Sequence, residues 1–410
     1  MDIKITPSAL SGTVEAPASK SVAHRLLICA ALAEGKSTIR INKTSEDIEA
    51  TTGCLEALGV TIEKNGSLWT VTPPDSFPET ATLNCGESGS TLRFLLPVAS
   101  ALGINATLTG HGRLPERPIA PLLDEMKQHG VKCGDGFPVT VSGRLTGGKY
   151  TIAGNISSQF ITGLLLALPL CEAKSEIEVI PPVESKPYID ITTSVLTAFG
   201  ADIKADGNTY YVSPTRLTGG SFSAEGDWSN AAFLLALGVA VTGLDKTSVQ
   251  GDRKILDVLH RSGAQITEEN GTFTADVSCL HGTDIDASDI PDLVPVISAL
   301  AATAEGETLI YNASRLRLKE SDRIASTVEM INSLGGEAYP TDDGIIIKGK
   351  TILSGGTVDG CSDHRIVMSS AVIAARCKNP VIITGAQAVN KSYPEFFNEY
   401  TSLGGKINVL

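Results

Sequence analysis

One pattern recurs six times along the 410 residues and constrains the fold more than any other feature. In each copy a helical stretch ends in a glycine, and a short segment rich in β-branched residues follows. A left-handed glycine closes a helix without steric cost, and near-constant spacing of such signals is typical of repeat architectures. The sequence therefore predicts six similar α/β units, punctuated by glycines 63 to 72 residues apart at Gly59, Gly130, Gly200, Gly263, Gly335 and Gly404.

Each copy carries a second helical stretch that is apolar on nearly all sides. Such helices are expected to be buried, and each has a Ser or Asp near its first turn, where these residues cap free N–H groups. Segments such as 177–180 and 344–347 are rich in Ile and Val and predict strands. The predicted buried helices span residues 21–33, 90–102, 157–168, 229–241, 289–304 and 363–375.

Basic residues recur at the starts of these helices, as at Lys20, Arg25, Arg93 and Arg365. A Ser-rich helix start is usually only a cap, but a cation in the first turn opposes the helix dipole. An anionic ligand would reverse that repulsion and accept charge-assisted hydrogen bonds. The repetition predicts that several helix starts bind an anion.

Composition narrows the function further. The net charge of -13 argues against nucleic-acid binding, which needs a long basic stripe. The eight cysteines lack C-x-x-C spacing, so they predict reduced thiols in a cytoplasmic protein rather than a zinc site. The first residues lack the pattern of a signal peptide, and the longest apolar run, 164–170, is too short to span a membrane.

Nine motifs, in order from residue 20 to residue 394, resemble those of the EPSP synthase family of 3-phosphoshikimate 1-carboxyvinyltransferases. The first six are Lys20-Ser21 with Arg25, Gly86 to Arg93, Leu114 to Ile119, Ser157 to Phe160, Ser185 to Asp190, and Ile290 to Asp292. The last three are Lys319 to Arg323, Asp363-His364-Arg365, and Lys391 to Pro394. The resemblance therefore covers essentially the whole chain.

The resemblance implies a two-domain inside-out α/β barrel in which each domain contains three of the six units. The lower domain would be discontinuous, residues 1–19 plus 226–410, and the upper domain would be residues 20–225. The active site would lie in the interdomain cleft, and the domains would close on the substrates. We expect a monomer.

The resemblance also implies the reaction and its binding residues. The enolpyruvyl group of phosphoenolpyruvate would move to the 5-hydroxyl of shikimate 3-phosphate, with release of phosphate, in the pathway to chorismate and the aromatic amino acids. Shikimate 3-phosphate would be held by Lys20, Ser21, Arg25, Ser157, Ser158, Gln159, Ser185, Asp292 and Lys319. Phosphoenolpyruvate would be held by Lys20, Gly89, Arg117, Gln159, Arg323, Arg365 and Lys391.

The chemistry implied is addition followed by elimination, which needs a base for the hydroxyl proton and an acid for C3 of phosphoenolpyruvate. We assign Asp292 to the hydroxyl and Glu320 to C3, with Lys20 assisting. We expect neither a metal nor an organic cofactor. The sequence departs from the family at Arg315 and Glu87, where Asn is common.

Three alternatives use the same features differently. UDP-N-acetylglucosamine enolpyruvyl transferases share the fold and the donor, but they carry a loop cysteine that residues 111–118 lack. A non-catalytic anion-binding clamp would need the cations but neither Asp292 nor Glu320. An RNA-end-processing enzyme built from similar units fits poorly with the acidic net charge.

Overall fold

The computed structural model describes all 410 residues. The chain divides into two compact units, a continuous unit of Ala18–Ala224 and a discontinuous unit of Met1–Pro17 with Glu225–Leu410. Compared with these limits, the predicted ones fall two residues later at the first crossing and one residue later at the second.

Twelve helices are distributed evenly between the two units. The longest has 14 residues, and none combines the length and the apolar character needed to cross a membrane. The continuous unit contains α1 Lys20–Leu32, α2 Glu46–Ala57, α3 Gly89–Leu102, α4 Ala120–Gln128, α5 Ser158–Ala167 and α6 Lys186–Ala198. The discontinuous unit contains α7 Trp228–Ala236, α8 Ile255–Arg261, α9 Val294–Ala301, α10 Arg323–Ser333, α11 His364–Ala374 and α12 Phe396–Ser402.

Six four-stranded sheets, three in each unit, share one topology, a parallel pair extended by two antiparallel strands. The continuous unit has β14 Ser221–Ser223, β3 Ser37–Arg40, β5 Leu68–Thr72 and β4 Thr61–Asn65; β6 Thr80–Asn84, β7 Asn105–Thr109, β9 Val139–Gly143 and β8 Val131–Cys133; and β10 Lys149–Ala153, β11 Ser175–Ile180, β13 Thr209–Val212 and β12 Ile203–Asp206. The discontinuous unit has β2 Thr13–Glu15, β15 Ala240–Thr242, β17 Thr272–Asp276 and β16 Gln265–Glu269; β18 Asp284–Asp286, β19 Glu307–Tyr311, β21 Ile345–Lys348 and β20 Ala338–Pro340; and β22 Gly356–Asp359, β23 Val381–Thr384, β1 Ile3–Thr6 and β24 Lys406–Val409. The predicted α/β fold class with six similar units is confirmed.

The predicted glycine punctuation is also confirmed. Each of the six glycines follows the end of an even-numbered helix and has a φ between +86° and +101°. A residue with a Cβ is strained in that region, so glycine lets the chain leave each helix and enter the next strand.

The odd-numbered helices form the buried centre of each unit, as predicted, but two predicted limits are wrong. Helix α7 ends at Ala236 because Gly238, at φ +77°, turns the chain into β15, so residues 240 and 241 lie in a strand. Helix α9 begins at Val294 rather than near residue 289, after a 3₁₀ turn over Pro291–Leu293. Proline disfavours helical backbone in the residue before it, and Ile290 accordingly has φ -126° and ψ 43°.

A close approach of α3 and α5 depends on Gly163. A Cβ built there would lie 2.3 Å from the Arg93 carbonyl oxygen and 2.9 Å from Pro97 Cγ. We predict that Gly163→Ala lowers the free energy of unfolding by about 1–3 kcal/mol, because backbone must shift to admit the methyl group. Urea unfolding measures the change.

Gly53, in the exposed part of α2, is the matched control, because a Cβ there would meet no atom within 4 Å. Gly53→Ala should raise the free energy of unfolding by about 0.5–1 kcal/mol through helix propensity. Equal effects of the two substitutions would contradict the proposed close approach.

Candidate functional site

The predicted site residues fall into two groups, one in each unit. We call the group in the continuous unit the cation cluster and the group in the discontinuous unit the carboxylate cluster. The cation cluster contains Lys20, Ser21, Arg25, Gly89, Arg117, Ser157, Ser158, Gln159 and Ser185. The carboxylate cluster contains Asp292, Lys319, Glu320, Arg323, Arg365 and Lys391.

Serine caps place the cation cluster at helix starts. Ser19 Oγ accepts from the Val22 N–H at 3.4 Å, so Lys20 and Ser21 are the first residues of α1. Ser88 caps α3 in the same way, and Ser157 Oγ accepts from the Gln159 N–H of α5 at 3.3 Å. The residues that cap α1 and α3 therefore precede Ser21 and Ser90.

Arg25 is a fully buried cation whose hydrogen bonds go only to neutral oxygens. Its Nε donates to Thr192 Oγ1 at 2.7 Å, and Nη1 donates to the Ser21 carbonyl at 2.6 Å. Nη2 donates to the Tyr188 carbonyl at 2.9 Å and to Thr162 Oγ1 at 3.2 Å. Burial lowers the pKa of Arg25, and no carboxylate forms an ion pair with it. A bound anion would supply the missing negative charge.

The backbone of Tyr188 connects Arg25 with Ser185, because its carbonyl accepts from Arg25 and its N–H donates to Ser185. Ser185 has a left-handed backbone, φ +56°, and its carbonyl accepts from the Tyr188 N–H at 3.1 Å as α6 begins. Because Ser185 and Ser158 are both buried, their hydroxyls lie inside the unit rather than on a solvated face.

Gln159 joins α5 to α3. Its Oε1 accepts from Arg93 Nη1 at 2.6 Å, and its Nε2 donates to Ser90 Oγ at 2.9 Å. Arg93 Nη2 also donates to the Pro118 carbonyl at 2.8 Å. The sequence places Arg93 at a helix start but not among the predicted site residues, and these contacts add it to the cation cluster.

Gly89 lets the Arg117 side chain approach the start of α3. A Cβ at position 89 would lie 2.7 Å from the guanidinium carbon of Arg117. The backbone at Gly89 and this guanidinium are therefore neighbours, as a shared anion would require.

Sequence reasoning missed the partner of Lys20. Lys20 Nζ forms an ion pair with Asp47 Oδ2 at 2.7 Å, from the first turn of α2. An acidic residue in a first turn is ordinary helix chemistry, so nothing in the sequence distinguished Asp47 from its neighbours.

Arg323 organises the carboxylate cluster. Its Nη1 donates to Asp292 Oδ1 at 2.8 Å, its Nη2 to Glu320 Oε2 at 2.7 Å, and its Nε to Asp363 Oδ2 at 2.8 Å. Burial lowers the pKa of Arg323, but these three carboxylates outweigh that effect and raise it. One guanidinium thus contacts both predicted proton-transfer carboxylates.

Asp292 is held ionised by cations on three sides. Arg365 Nη2 donates to its Oδ2 at 2.9 Å, and Lys319 Nζ lies 3.8 Å from its Oδ1. Burial raises the pKa of Asp292, but Arg365, Lys319 and Arg323 outweigh it and hold the pKa well below its ordinary value. Burial lowers the pKa of Lys319 to about 8, with Asp292 opposing the shift.

The last two motifs meet at the start of α11. Asp363 caps this helix, its Oδ1 accepting from the Arg365 N–H at 2.9 Å. Lys391 Nζ donates to the Ser362 carbonyl at 2.6 Å. Cys361 and Ser362 both have positive φ, and this left-handed pair aims that carbonyl toward Lys391.

A buried carboxyl that the sequence did not reveal lies beside these groups. Asp252 follows a loop, and burial together with the nearby charge of Asp292 raises its pKa to about 7. Ser229 lies between Asp252 and Arg365, donating to Asp252 and accepting from Arg365 Nη1 at 2.6 Å. No periodicity or motif marks an isolated acid of this kind.

The two departures from the family pattern lie at the margins of the clusters. Arg315 Nη2 donates to the Ser288 carbonyl. Glu87 lies in the loop before α3, and its Oε1 is 3.6 Å from His111 Nδ1. No group of three or more His, Cys, Asp or Glu side chains is arranged to hold a metal ion, and all eight cysteines are free thiols.

We predict that Asp363→Asn lowers the free energy of unfolding by about 3–5 kcal/mol, because it removes the fully buried one of the three carboxylates that pair with Arg323. Burial raises the pKa of Asp363, but Arg323 outweighs it, so the folded pKa lies below the unfolded value. This stabilisation is therefore present above about pH 4 and is lost as pH falls through the folded pKa.

Chemical unfolding at pH 7 and at pH 3 tests this prediction. Asp322→Asn is the matched control, because Asp322 caps α10 but is half-exposed and Asn also caps well. The prediction fails if the two substitutions cost the same at pH 7.

The sequence and the fold both match known proteins. The family model for EPSP synthase (3-phosphoshikimate 1-carboxyvinyltransferase) matches residues 5–400. A 3-phosphoshikimate 1-carboxyvinyltransferase of Clostridium kluyveri is 44% identical over 99% of this chain and 98% of its own length. The corresponding protein of Clostridium novyi is 39% identical with the same coverage.

Solved structures agree with these sequence matches. An EPSP synthase from Acinetobacter baumannii superimposes with a TM-score of 0.81, 27% sequence identity and coverage of 100% of both chains. The matches extend over the helix starts and the carboxylates described above. The chain therefore belongs to the EPSP synthase family.

Proposed function

We propose that the two clusters act together in transferring the enolpyruvyl group of phosphoenolpyruvate to the 5-hydroxyl of shikimate 3-phosphate. The observation that carries this proposal is the contact of Arg323 with both Asp292 and Glu320. A protein that only bound anions would need the arginines but would have no proton-transfer use for the two acids beside them. An enzyme that moves two protons next to anionic groups needs both kinds of residue.

The cation cluster would bind the substrate anions. Lys20, Arg25, Arg93 and Arg117 contribute four cations, and Lys20 forms an ion pair with Asp47. Arg25 in particular donates only to neutral oxygens and so lacks a countercharge. We assign it, with Ser21, Ser157, Ser158, Gln159 and Ser185, to shikimate 3-phosphate, and we assign Gly89 and Arg117 to phosphoenolpyruvate.

The carboxylate cluster would move the protons. In the first step the 5-hydroxyl oxygen bonds to C2 of phosphoenolpyruvate, the hydroxyl proton passes to Asp292, and C3 gains a proton from Glu320. In the second step C3 returns a proton to Glu320, the C2–C3 double bond reforms, the C2–O bond to phosphate breaks, and the proton on Asp292 leaves with the departing phosphate. Lys20 would assist at the leaving group or at C3.

The depressed pKa of Asp292 makes it a weak base while Arg365, Lys319 and Arg323 hold it. Phosphate and carboxylate groups of the substrates compete for those same cations. As substrate draws the cations away, the pKa of Asp292 rises toward its ordinary value and proton abstraction becomes easier. Substrate binding would thus activate the base.

Phosphate release tests the reaction. The purified protein is incubated with phosphoenolpyruvate and either shikimate 3-phosphate or UDP-N-acetylglucosamine. We predict release only with shikimate 3-phosphate. Release only with the nucleotide sugar would show that shikimate 3-phosphate is not the acceptor. Release with neither would favour a non-catalytic anion-binding clamp.

Separate substitutions test the two carboxylates. We predict that Asp292→Asn and Glu320→Gln each lower kcat at least about hundredfold, the contribution usual for a general acid or base. Glu320→Gln should also slow exchange of solvent deuterium into C3 of phosphoenolpyruvate. Glu329→Gln, exposed on α10, is the control and should leave kcat unchanged. Near-normal turnover in both Asp292→Asn and Glu320→Gln would rule out the assignment.

A further inference from the structure

A buried chain of hydrogen bonds connects three helices of the continuous unit. His24 Nδ1 lies 2.6 Å from Thr51 Oγ1, and Thr51 Oγ1 lies 2.7 Å from Thr91 Oγ1. Thr91 Oγ1 donates to Ser88 Oγ at 2.8 Å. We call these four residues the hydroxyl chain; each is at most 1% exposed, so water does not complete their hydrogen bonds.

The direction of the protons along the hydroxyl chain follows from its last bond. A threonine hydroxyl has one proton to donate, and that of Thr91 goes to Ser88. Thr91 must therefore accept from Thr51, and Thr51 must accept from His24. His24 is thereby assigned as the tautomer with its proton on Nδ1.

The surroundings of His24 agree with a neutral ring. Burial lowers the pKa of His24 well below its ordinary value, and the nearby charges of Lys20 and Arg25 lower it further. Nε2 then carries a lone pair, and it has no hydrogen-bond partner. The ring stands edge-on to Phe94, with centroids 6.3 Å apart.

The hydroxyl chain connects the elements that present the cation cluster. His24 lies one turn after Lys20 on α1, and Thr51 lies on α2, whose first turn pairs Asp47 with Lys20. Ser88 caps α3 immediately before Gly89, against which the Arg117 guanidinium lies. The hydroxyl chain therefore links the segment 86–90, which contains the end of the loop and the first residues of α3, to the helix that carries Lys20.

We propose that His24 is a positioning residue for the enolpyruvyl transfer. It donates the first hydrogen bond of the hydroxyl chain. Through Thr51, Thr91 and Ser88, that chain fixes the segment 86–90, which contains Gly89, relative to Lys20. This inference rests on the proposed function. Loss of a link would misplace Gly89 and Arg117, so binding of phosphoenolpyruvate suffers more than binding of shikimate 3-phosphate. The catalytic carboxylates, which lie in the other unit, are not part of the chain.

Steady-state kinetics of the full chain test the proposal. His24→Leu, Thr51→Val and Thr91→Val each remove one link, and each should raise KM for phosphoenolpyruvate about tenfold, the loss expected for one buried hydrogen bond. The KM for shikimate 3-phosphate should change by less than about threefold, and so should kcat. His24→Asn keeps an N–H donor near the Nδ1 position and should restore most of the affinity.

Thr52→Val is the matched control. Thr52 is buried on the same helix as Thr51, but its hydroxyl donates to the Ile48 carbonyl of its own helix. It should leave KM for phosphoenolpyruvate unchanged. The double variant His24→Leu with Thr91→Val should have a KM for phosphoenolpyruvate no higher than that of either single variant, because each substitution alone already interrupts the hydroxyl chain. Equal kinetics for Thr51→Val and Thr52→Val, or additive losses in the double variant, would overturn the proposal.

Nitrogen NMR of the wild-type protein provides a test that does not depend on the kinetics of the variants, and His24→Asn serves only to assign the resonance. The resonance that disappears in His24→Asn should come from a ring with its proton on Nδ1 and a bare Nε2. A proton on Nε2 would reverse the deduced direction and overturn the proposal. The wild-type phosphate assay separates the two levels of inference. A wild type without turnover rejects the proposed function, whereas a wild type with turnover and unaffected chain variants rejects only the role of His24.

Discussion

The burial of arginine near helix starts is the constraint on which both clusters depend. Arg25 and Arg323 are among the largest fully buried side chains of the protein. A guanidinium removed from water must find oxygen partners for its N–H groups, or the fold loses several kcal/mol. The two units meet this requirement in different ways, and the difference separates the roles of the two clusters.

In the discontinuous unit the partners are carboxylates. Arg323 contacts three of them, and Arg365 contacts Asp292 as well. This cluster is close to charge balance, so it is stable before any ligand binds, and its ion pairs already hold Asp292 and Glu320 in place. In the continuous unit the partners of Arg25 are hydroxyls and carbonyls, which satisfy geometry but not charge. That unit has the greater electrostatic reason to bind an anion.

The sequence predicted the features that depend on local chemistry. The six left-handed glycines, the buried helices and the grouping of basic residues at helix starts all follow from backbone conformation, periodicity and the helix dipole. The family motifs then supplied Asp292, Glu320 and the arginines around them. Two helix limits were wrong, because Gly238 and Pro291 act on the backbone more strongly than the apolar pattern around them.

Sequence reasoning could not find the residues whose importance arises only from long-range packing. Arg25 donates to Thr192, which lies 167 positions further along the chain. Asp47, Asp252 and Thr51 are ordinary residues in ordinary helical or loop contexts, and only the fold brings them beside Lys20, Asp292 and His24. Pairings of this kind need the three-dimensional arrangement before they can be recognised.

Calorimetric titration of shikimate 3-phosphate into the wild type and into Arg25→Gln tests the central claim most directly. If the uncompensated charge of Arg25 binds the substrate anion, the variant should bind roughly tenfold to a hundredfold more weakly, the range for a charge-assisted hydrogen bond. The affinity for shikimate without its phosphate should change little. Equal affinity of the two proteins for shikimate 3-phosphate would contradict the account.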